Sequence, residues 1–325
     1  MTHHGFALSL VVAGALAPTG EPGNKPIPVI LVTDIGGDID DTWALGFLLC
    51  CPEVDLKMVV SDTGNTEYRA RIAARFLQLA GRSDVKVGVG LRQSDEEQGQ
   101  AEWVRGYDLG SYPGKVHTDG VAALVAAIMD SSEPVTLVCI GPMPNIARAL
   151  EIEPKIAGRC HFVGMHGSVY LGYNGAPTPA PECNVVSAAA ACRAVFEAPW
   201  LSKTITPLDT CGLVQLKGDL YAKVRDSDAL VPRLIMQNYR VWASVNTWAN
   251  PAVESSVLFD TVAAWLTFSH EYLNVRAMPI GVTDDGYTKV EEGAPVLDCA
   301  IEWHDREAYQ AALVERLTGG SPGGR

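Results

Sequence analysis

The sequence has no apolar run that reads as a membrane-spanning helix, and it has few basic residues. An apolar stretch at residues 6–17 is shorter than the roughly 20 residues that cross a bilayer. Its 25 lysines and arginines are outnumbered by 38 aspartates and glutamates, which gives a net charge of −13. Nucleic acids and anionic membranes both favour a basic protein face, so we expect neither as a partner.

The motifs of several common sites are also missing. None of the eight cysteines belongs to a Cys-x-x-Cys pair, so a zinc site and a disulfide framework are not indicated. The sequence contains no P-loop and no basic cradle for a phosphate group. The remaining candidates for chemistry are carboxylates and the amide side chains near them.

The first 24 residues are interpreted as a signal peptide followed by a linker. Ala15-Leu16-Ala17 fits a cleavage site after the apolar stretch, although no lysine or arginine precedes it. We therefore expect a secreted or periplasmic protein, with a cytoplasmic one as the alternative. Residues 25–318 are predicted to form a single domain, and residues 319–325 a flexible tail.

Strand and helix patterns alternate along the domain. Short apolar runs rich in β-branched residues predict buried strands, and segments with helical periodicity follow them. We predict an α/β fold with an open, mainly parallel, Rossmann-like sheet and helices on both faces. The prediction includes one helical region over residues 220–250, a closing strand over residues 277–282, and a functional lid over residues 90–117.

One stretch concentrates the acidic residues. After the apolar run at residues 28–32, four aspartates fall within eight residues, at Asp34, Asp38, Asp40 and Asp41. Carboxylates this close repel one another unless a cation or protons neutralise them. Oxygen ligands of this kind suit Ca²⁺ or Mg²⁺, and the carboxyl end of a strand is where open α/β sheets bind ligands.

This stretch has two alternative interpretations. The aspartates could simply cap the helix that follows, but two caps would suffice. Asp38-x-Asp40-x-Thr42 also matches a motif of haloacid-dehalogenase-type phosphotransferases. That motif needs its first aspartate at the end of the strand, whereas here the strand ends near Asp34.

Residues 32–41 have the sequence Val-Thr-Asp-Ile-Gly-Gly-Asp-Ile-Asp-Asp. This segment resembles the longer form of the aspartate signature of the inosine-uridine preferring nucleoside hydrolases. Further segments resemble that family in the same order along the chain. These are residues 59–66, 140–147, 167–170, 182–184 and 258–263.

The resemblance implies Ca²⁺-dependent hydrolysis of the N-glycosidic bond of ribonucleosides to free base and ribose. It implies Ca²⁺ ligands at Asp34, Asp41, Asp260 and the backbone carbonyl of Ile140, with Asp34 also acting as the base for a metal-bound water. The residues implied to hold the ribose are Asp40, Asn65, Asn174, Glu182 and Asn184. A homodimer or homotetramer is implied as well. A non-catalytic nucleoside- or sugar-binding protein on the same fold is the alternative.

One departure from the family pattern concerns the leaving base. Phe259 stands where members that accept purines and pyrimidines carry a histidine able to protonate the base. His117 and His166 lie in or beside the predicted loops. Stacking on an aromatic residue is the other option, which favours purine nucleosides, and its candidates are Trp103, Tyr107, Tyr173, Trp242 and Trp248.

Overall fold

A computed structural model describes residues 25–319. The predicted signal peptide and linker lie outside the described residues, as does the predicted tail apart from Gly319, which ends the last helix. Within residues 25–319, no helix is both long and apolar enough to cross a membrane.

A ten-stranded sheet forms the centre of the described structure, in the order β11-β10-β12-β7-β6-β5-β1-β2-β3-β4. Eight neighbouring strands, from β12 to β4, run parallel, whereas β10 is antiparallel to both β11 and β12. The strands are β1 (Ile27–Thr33), β2 (Val54–Ser61), β3 (Lys86–Gly88), β4 (Val116–His117), β5 (Val135–Cys139), β6 (Cys160–Met165), β7 (Ser202–Thr206), β10 (Leu273–Val282), β11 (Thr288–Val290) and β12 (Val296–Trp303). A separate antiparallel pair comprises β8 (Gln215–Lys217) and β9 (Glu254–Val257).

Helices cover both faces of the sheet, as the sequence predicts. The helices are α1 (Asp40–Cys50), α2 (Thr66–Leu79), α3 (Gly120–Met129), α4 (Pro144–Ile152), α5 (Cys183–Ser187), α6 (Ala189–Glu197), α7 (Gly218–Arg225), α8 (Leu230–Val245), α9 (Phe259–Leu266) and α10 (Arg306–Gly319). One core includes side chains of α1, α2 and α7–α10, and the other includes side chains of α3, α4 and α6.

The first strand shows why a continuous apolar run is needed. Val29 and Leu31 belong to the core on one face of the sheet, while Ile30 and Val32 belong to the core on the other. Successive strand residues point to opposite faces, so a strand covered on both sides must be apolar at every position. This confirms the predicted open, mainly parallel α/β architecture.

The structure differs from the prediction in three segments. Residues 220–250 contain two helices rather than one, because α7 ends at Arg225 and α8 begins at Leu230. The predicted closing strand, residues 277–282, is the second half of β10, and β11, β12 and α10 follow it. Residues 90–117 include two short 3₁₀ turns and end at β4, so this segment is only partly irregular.

Candidate active site

A cavity of about 410 Å³ opens at the carboxyl ends of the central strands. The strand β1 lies between β5 and β2, and the strand order runs in opposite directions on its two sides. Such a switch point is where open α/β sheets bind ligands. The residues lining the cavity are Asp34, Gly37, Asp38, Asp40, Asp41, Thr63, Arg69, Gln93, Gln98, Ile140, Pro142, Met165, Tyr173, Glu182, Cys183, Asn184, Ser187, Phe259 and Asp260.

Three carboxylates converge in this cavity. Asp40, Asp41 and Asp260 each place a carboxylate oxygen within 4.8 Å of the other two. All three side chains are buried, and burial together with repulsion from neighbouring aspartates raises each pKa well above its ordinary value. A divalent cation would relieve this repulsion and displace the protons, so the donor set fits an oxygen-preferring ion such as Ca²⁺.

Two helix starts bring these carboxylates together. Asp40 and Asp41 lie in the first turn of α1 and Asp260 lies in the first turn of α9, where the helix dipole favours negative charge. The two helices pack through Phe47 and Trp265, whose rings stack with centroids 6.2 Å apart. The hydroxyl of Thr33, the last residue of β1, donates a 2.5 Å hydrogen bond to Asp41 Oδ1.

Asp34 lies directly after β1 and faces the same cavity. Its Oδ2 is 3.8 Å from Nη2 of Arg69. Within residues 25–319, none of the three converging carboxylates has a cationic group this close. Burial raises the pKa of Asp34, and the positive charge of Arg69 opposes that rise. Asp34 therefore differs from the cluster in the charge that surrounds it.

The backbone of the aspartate loop, residues 34–39, is held by side chains from outside it. Four consecutive carbonyl oxygens each accept a hydrogen bond from a different buried side chain. The pairs are Arg69 with Ile35 (3.2 Å), Tyr68 with Gly36 (3.1 Å), Trp242 with Gly37 (2.8 Å) and Gln100 with Asp38 (2.8 Å).

A glycine is required in this loop. Gly36 has a φ of 113°, and a Cβ atom at this position would lie 2.8 Å from the ring of Tyr68. Only glycine combines this backbone conformation with such close packing. The loop is therefore shaped by its own glycine and by donors from α2, from α8 and from the segment before α3.

Glu182 and Asn184 form the opposite wall. The buried Glu182 carboxylate accepts three backbone N–H bonds of 2.8 to 3.2 Å, while burial raises its pKa to about 7. Asn184 Nδ2 donates to the carbonyl oxygens of Ile140 (3.3 Å) and Met165 (3.0 Å). The Ile140 carbonyl is thus held beside the cavity by a neighbouring site residue.

The structure brings together seven of the predicted site residues but places two of them elsewhere. Asn65 and Asn174 do not line the cavity. The Asn65 Oδ1 accepts from the backbone N–H of Tyr68 (3.1 Å), and its Nδ2 donates to the carbonyl of Asp95 (3.0 Å). Asn174 has a φ of 57° within a 3₁₀ turn. Their contact with a substrate stays a prediction of the sequence.

Only one of the residues considered for the leaving base, Tyr173, faces the cavity, where it lies beside Phe259. Their rings meet edge to face, with centroids 6.1 Å apart. His166 is buried, with Nε2 3.0 Å from the carbonyl oxygen of Gly141, and His117 lines a separate cavity beside α3. The remaining candidates, Trp103, Tyr107, Trp242 and Trp248, do not line the site.

Several lining residues were missed at the sequence level, chiefly Arg69, Gln93 and Gln98. The two glutamines lie in residues 90–117, the segment predicted as a lid. The segment was thus predicted to be functional, but these two side chains were not predicted to line the site. Arg69 lies near the start of α2, the helix that follows β2. Residues at that position of a helix face the ligand edge of the sheet, which was the available signal.

Comparisons with known proteins identify the family of this chain. The sequence profile of the inosine-uridine preferring nucleoside hydrolases matches residues 29–315. The pyrimidine-specific ribonucleoside hydrolase RihA of Enterobacter sp. (strain 638) is 33% identical over 186 residues, which cover 53% of this chain and 56% of that protein. Probable uridine nucleosidase 2 of Arabidopsis thaliana is 31% identical over 180 residues, which cover 52% and 55%. The chain therefore spans about half the length of the curated relatives it matches.

Solved structures share the fold over a longer range. A plant nucleoside hydrolase, PpNRh1, superposes with a TM-score of 0.75 at 22% identity, covering 90% of this chain and 99% of that one. A purine-preferring ribonucleoside hydrolase from Gardnerella vaginalis gives a TM-score of 0.73 at 21% identity, with 90% and 98% covered. At these identities the likeness concerns the fold, whereas the family profile spans nearly all described residues. The chain belongs to the inosine-uridine preferring nucleoside hydrolase family.

Proposed function

We propose that this protein hydrolyses the N-glycosidic bond of ribonucleosides, with Ca²⁺ as cofactor, and releases the free base and ribose. The observation that carries the proposal is the convergence of Asp40, Asp41 and Asp260 in one cavity with Asp34. Family membership supports the same reaction class.

The chain offers a suitable set of oxygen ligands. Asp34, Asp41, Asp260 and the carbonyl of Ile140 all face the cavity and would hold the ion, and Asp40 belongs to the same cluster. When bound, Ca²⁺ would lower the pKa of a water molecule and fix the sugar hydroxyls. The carboxylates also stabilise the positive charge that develops on the sugar as the glycosidic bond breaks.

The side chains around the cluster would supply the catalytic base and the groups that bind the ribose. Asp34 would remove the proton from the attacking water, the role that the family resemblance implies for it. Its carboxylate lines the cavity beside the cluster without belonging to it. Asp40, Glu182 and Asn184 would accept or donate hydrogen bonds to the ribose hydroxyls. The three N–H bonds to Glu182 fix its orientation for that purpose.

The leaving base meets an apolar, aromatic part of the wall. Phe259 has no proton to donate, and with Tyr173 it forms a surface suited to contact a heterocyclic ring. The lack of a histidine at position 259 favours the second candidate function, a nucleoside- or sugar-binding protein that does not catalyse hydrolysis.

Reducing-sugar release decides between the two. Inosine, adenosine, guanosine, uridine and cytidine are each incubated with the full chain, with added Ca²⁺ and after chelation. We expect ribose release that chelation abolishes. Ca²⁺ binding without release from any of these nucleosides would contradict hydrolysis of them and support the binding function.

A further inference from the structure

Arg69 is the single positively charged residue among the residues that line the cavity, where it faces six acidic side chains. The side chain is buried at 5% exposure and is fixed by three hydrogen bonds. Its Nε donates to the carbonyl of Thr63 (3.0 Å), its Nη1 to that of Ile35 (3.2 Å) and its Nη2 to Oε1 of Gln98 (3.2 Å).

These bonds leave part of the guanidinium group unused. An arginine carries five N–H donors in a fixed fork, and three of them are occupied here. The contact between Nη2 and Asp34 Oδ2, at 3.8 Å, is too long for a hydrogen bond. Within residues 25–319, one N–H on each terminal nitrogen is therefore without a hydrogen-bond partner.

Two glycines leave space over these terminal nitrogens. A Cβ atom on Gly37 would lie 3.5 Å from Nη1, and a Cβ atom on Gly64 would lie 3.5 Å from Nη2. Both positions lack side chains, so the fork is not covered from either loop. The guanidinium group is held by three hydrogen bonds, lines the cavity and lies directly beside Asp34.

The side-chain amide of the neighbouring Asn65 already makes two hydrogen bonds within the protein. Asn65, one helical turn before Arg69, uses its side-chain oxygen to cap α2 and its side-chain nitrogen to hold the carbonyl of Asp95. Both polar atoms of its side chain are thus engaged, and Asn65 does not line the cavity. The donors that this wall presents to the cavity are those of Arg69, Thr63 and the two glutamines.

We propose that Arg69 is a substrate-binding residue whose free N–H groups donate to a hydroxyl oxygen of the ribose beside Asp34. The proposal rests on the proposed function, since it assumes that a nucleoside occupies the cavity. A merely structural role would use only the bonds to Thr63, Ile35 and Gln98, and substitution would then affect all substrates equally.

The test compares substrates and variants together. We would measure kcat/KM of the wild type, Arg69→Gln and Arg69→Lys on a ribonucleoside and on its 2′-deoxy, 3′-deoxy and 5′-deoxy analogues. Arg75→Gln is the matched control, because Arg75 lies on the same helix and donates to the carbonyl of Trp103 but does not face the cavity. Thermal unfolding establishes that each variant is folded.

We expect Arg69→Gln to reduce kcat/KM for the ribonucleoside roughly 10- to 100-fold, the usual effect of a hydrogen bond to a charged group. The loss should shrink to a few-fold on the one analogue that lacks the contacted hydroxyl. An equal loss on all four substrates would overturn the proposal and assign Arg69 a structural role. Arg69→Lys, which keeps the charge without the fork, keeps the test valid if the glutamine variant does not fold.

A binding measurement separates this inference from the proposed function. Ribose and 2-deoxyribose are titrated calorimetrically into the Ca²⁺-loaded wild type and Arg69→Lys. Weaker ribose binding by the variant supports the contact even if no nucleoside is hydrolysed. Equal ribose binding by both proteins overturns the proposed contact, and the sugar-release assay still decides whether the protein is a hydrolase. A wild type that binds no ribose also overturns the proposed contact.

Discussion

The indole nitrogen of Trp242 donates a 2.8 Å hydrogen bond to the carbonyl oxygen of Gly37, across 205 residues of sequence. Trp242 is buried in α8, where its ring also contacts that of Tyr239 with centroids 6.0 Å apart. A helix that contributes no residue to the cavity lining thus fixes one of the four carbonyls of the aspartate loop. The geometry of the carboxylates depends on packing well outside the site.

Trp242→Phe tests this dependence, because it keeps an aromatic ring and removes the donor. We expect a loss of about 1–3 kcal/mol in the free energy of unfolding from the unpaired carbonyl, together with a fall in kcat. Urea unfolding and steady-state kinetics measure the two effects. Trp248→Phe is the control for aromatic packing, since the Trp248 ring meets that of Trp242 edge to face with centroids 5.2 Å apart, whereas Trp248 is 70% exposed and lies outside the cavity. Equal effects of both substitutions would contradict the positioning role.

Asp34→Asn tests the assigned base. The substitution keeps the shape of the side chain and removes its ability to accept a proton, so we expect turnover to be abolished while the fold is retained. Ribose release and thermal unfolding report the two properties. An Asp34→Asn variant that still turns over would reject Asp34 as the base.

Ca²⁺ binding should release protons. The raised pKa values of Asp40, Asp41 and Asp260 mean that the ion competes with protons for the same oxygen atoms, so affinity should increase with pH. Calorimetric titration in two buffers of different ionisation enthalpy measures the number of protons released.

The same titration identifies the ligands. Asp260→Asn should weaken Ca²⁺ binding strongly and lower the proton count. Asp219→Asn is a matched control, because Asp219 is likewise in the first turn of a helix but is exposed and outside the cavity. A proton count that Asp260→Asn leaves unchanged would argue against the proposed cluster.

His166 should make the protein sensitive to acid. Burial lowers its pKa to about 3, compared with an ordinary value of 6.5. Below pH 6.5 the unfolded chain binds a proton that the folded chain does not, so this residue lowers stability as the pH falls towards 3. The slope is about 1.4 kcal/mol per pH unit for one such group.

His166→Gln, which retains a donor for Gly141, should flatten the pH dependence of the unfolding free energy between pH 6.5 and 3. Denaturant unfolding at several pH values measures it. His304→Gln, on the exposed surface, serves for comparison. A wild-type slope that survives in His166→Gln would place the acid sensitivity elsewhere.

The parallel part of the sheet could be predicted because its signals are local. The run Val29–Val32 and the buried strand β5 are apolar at consecutive positions, which a doubly covered strand requires. The break between α7 and α8 was not predicted, although Pro232 in the first turn of α8 is a local signal, since proline favours helix starts. The antiparallel pairing of β10 with β12 is a contact between distant segments, and no local pattern specifies it.

The site residues also fall into two groups, those that a sequence pattern predicts and those that it does not. The four aspartates of residues 34–41 stand out in the sequence by their density, and Asp260 stands out by the motif that contains it. Arg69, Gln98 and Trp242 have no such pattern, and their roles arise from the way α2, α8 and the segment before α3 meet the loop. A single asparagine such as Asn65 matched a motif but lies where a helix cap is needed.

The distance along the chain between Gly37 and Trp242 has a consequence for biosynthesis. The aspartate loop leaves the ribosome long before α8 and α9, so the nascent chain carries its acidic loop without Trp242 and Asp260 until translation is almost complete. The proposed site is therefore completed only after α9 has emerged, and a prematurely terminated chain that ends before α8 would lack both residues even if its first strands pair.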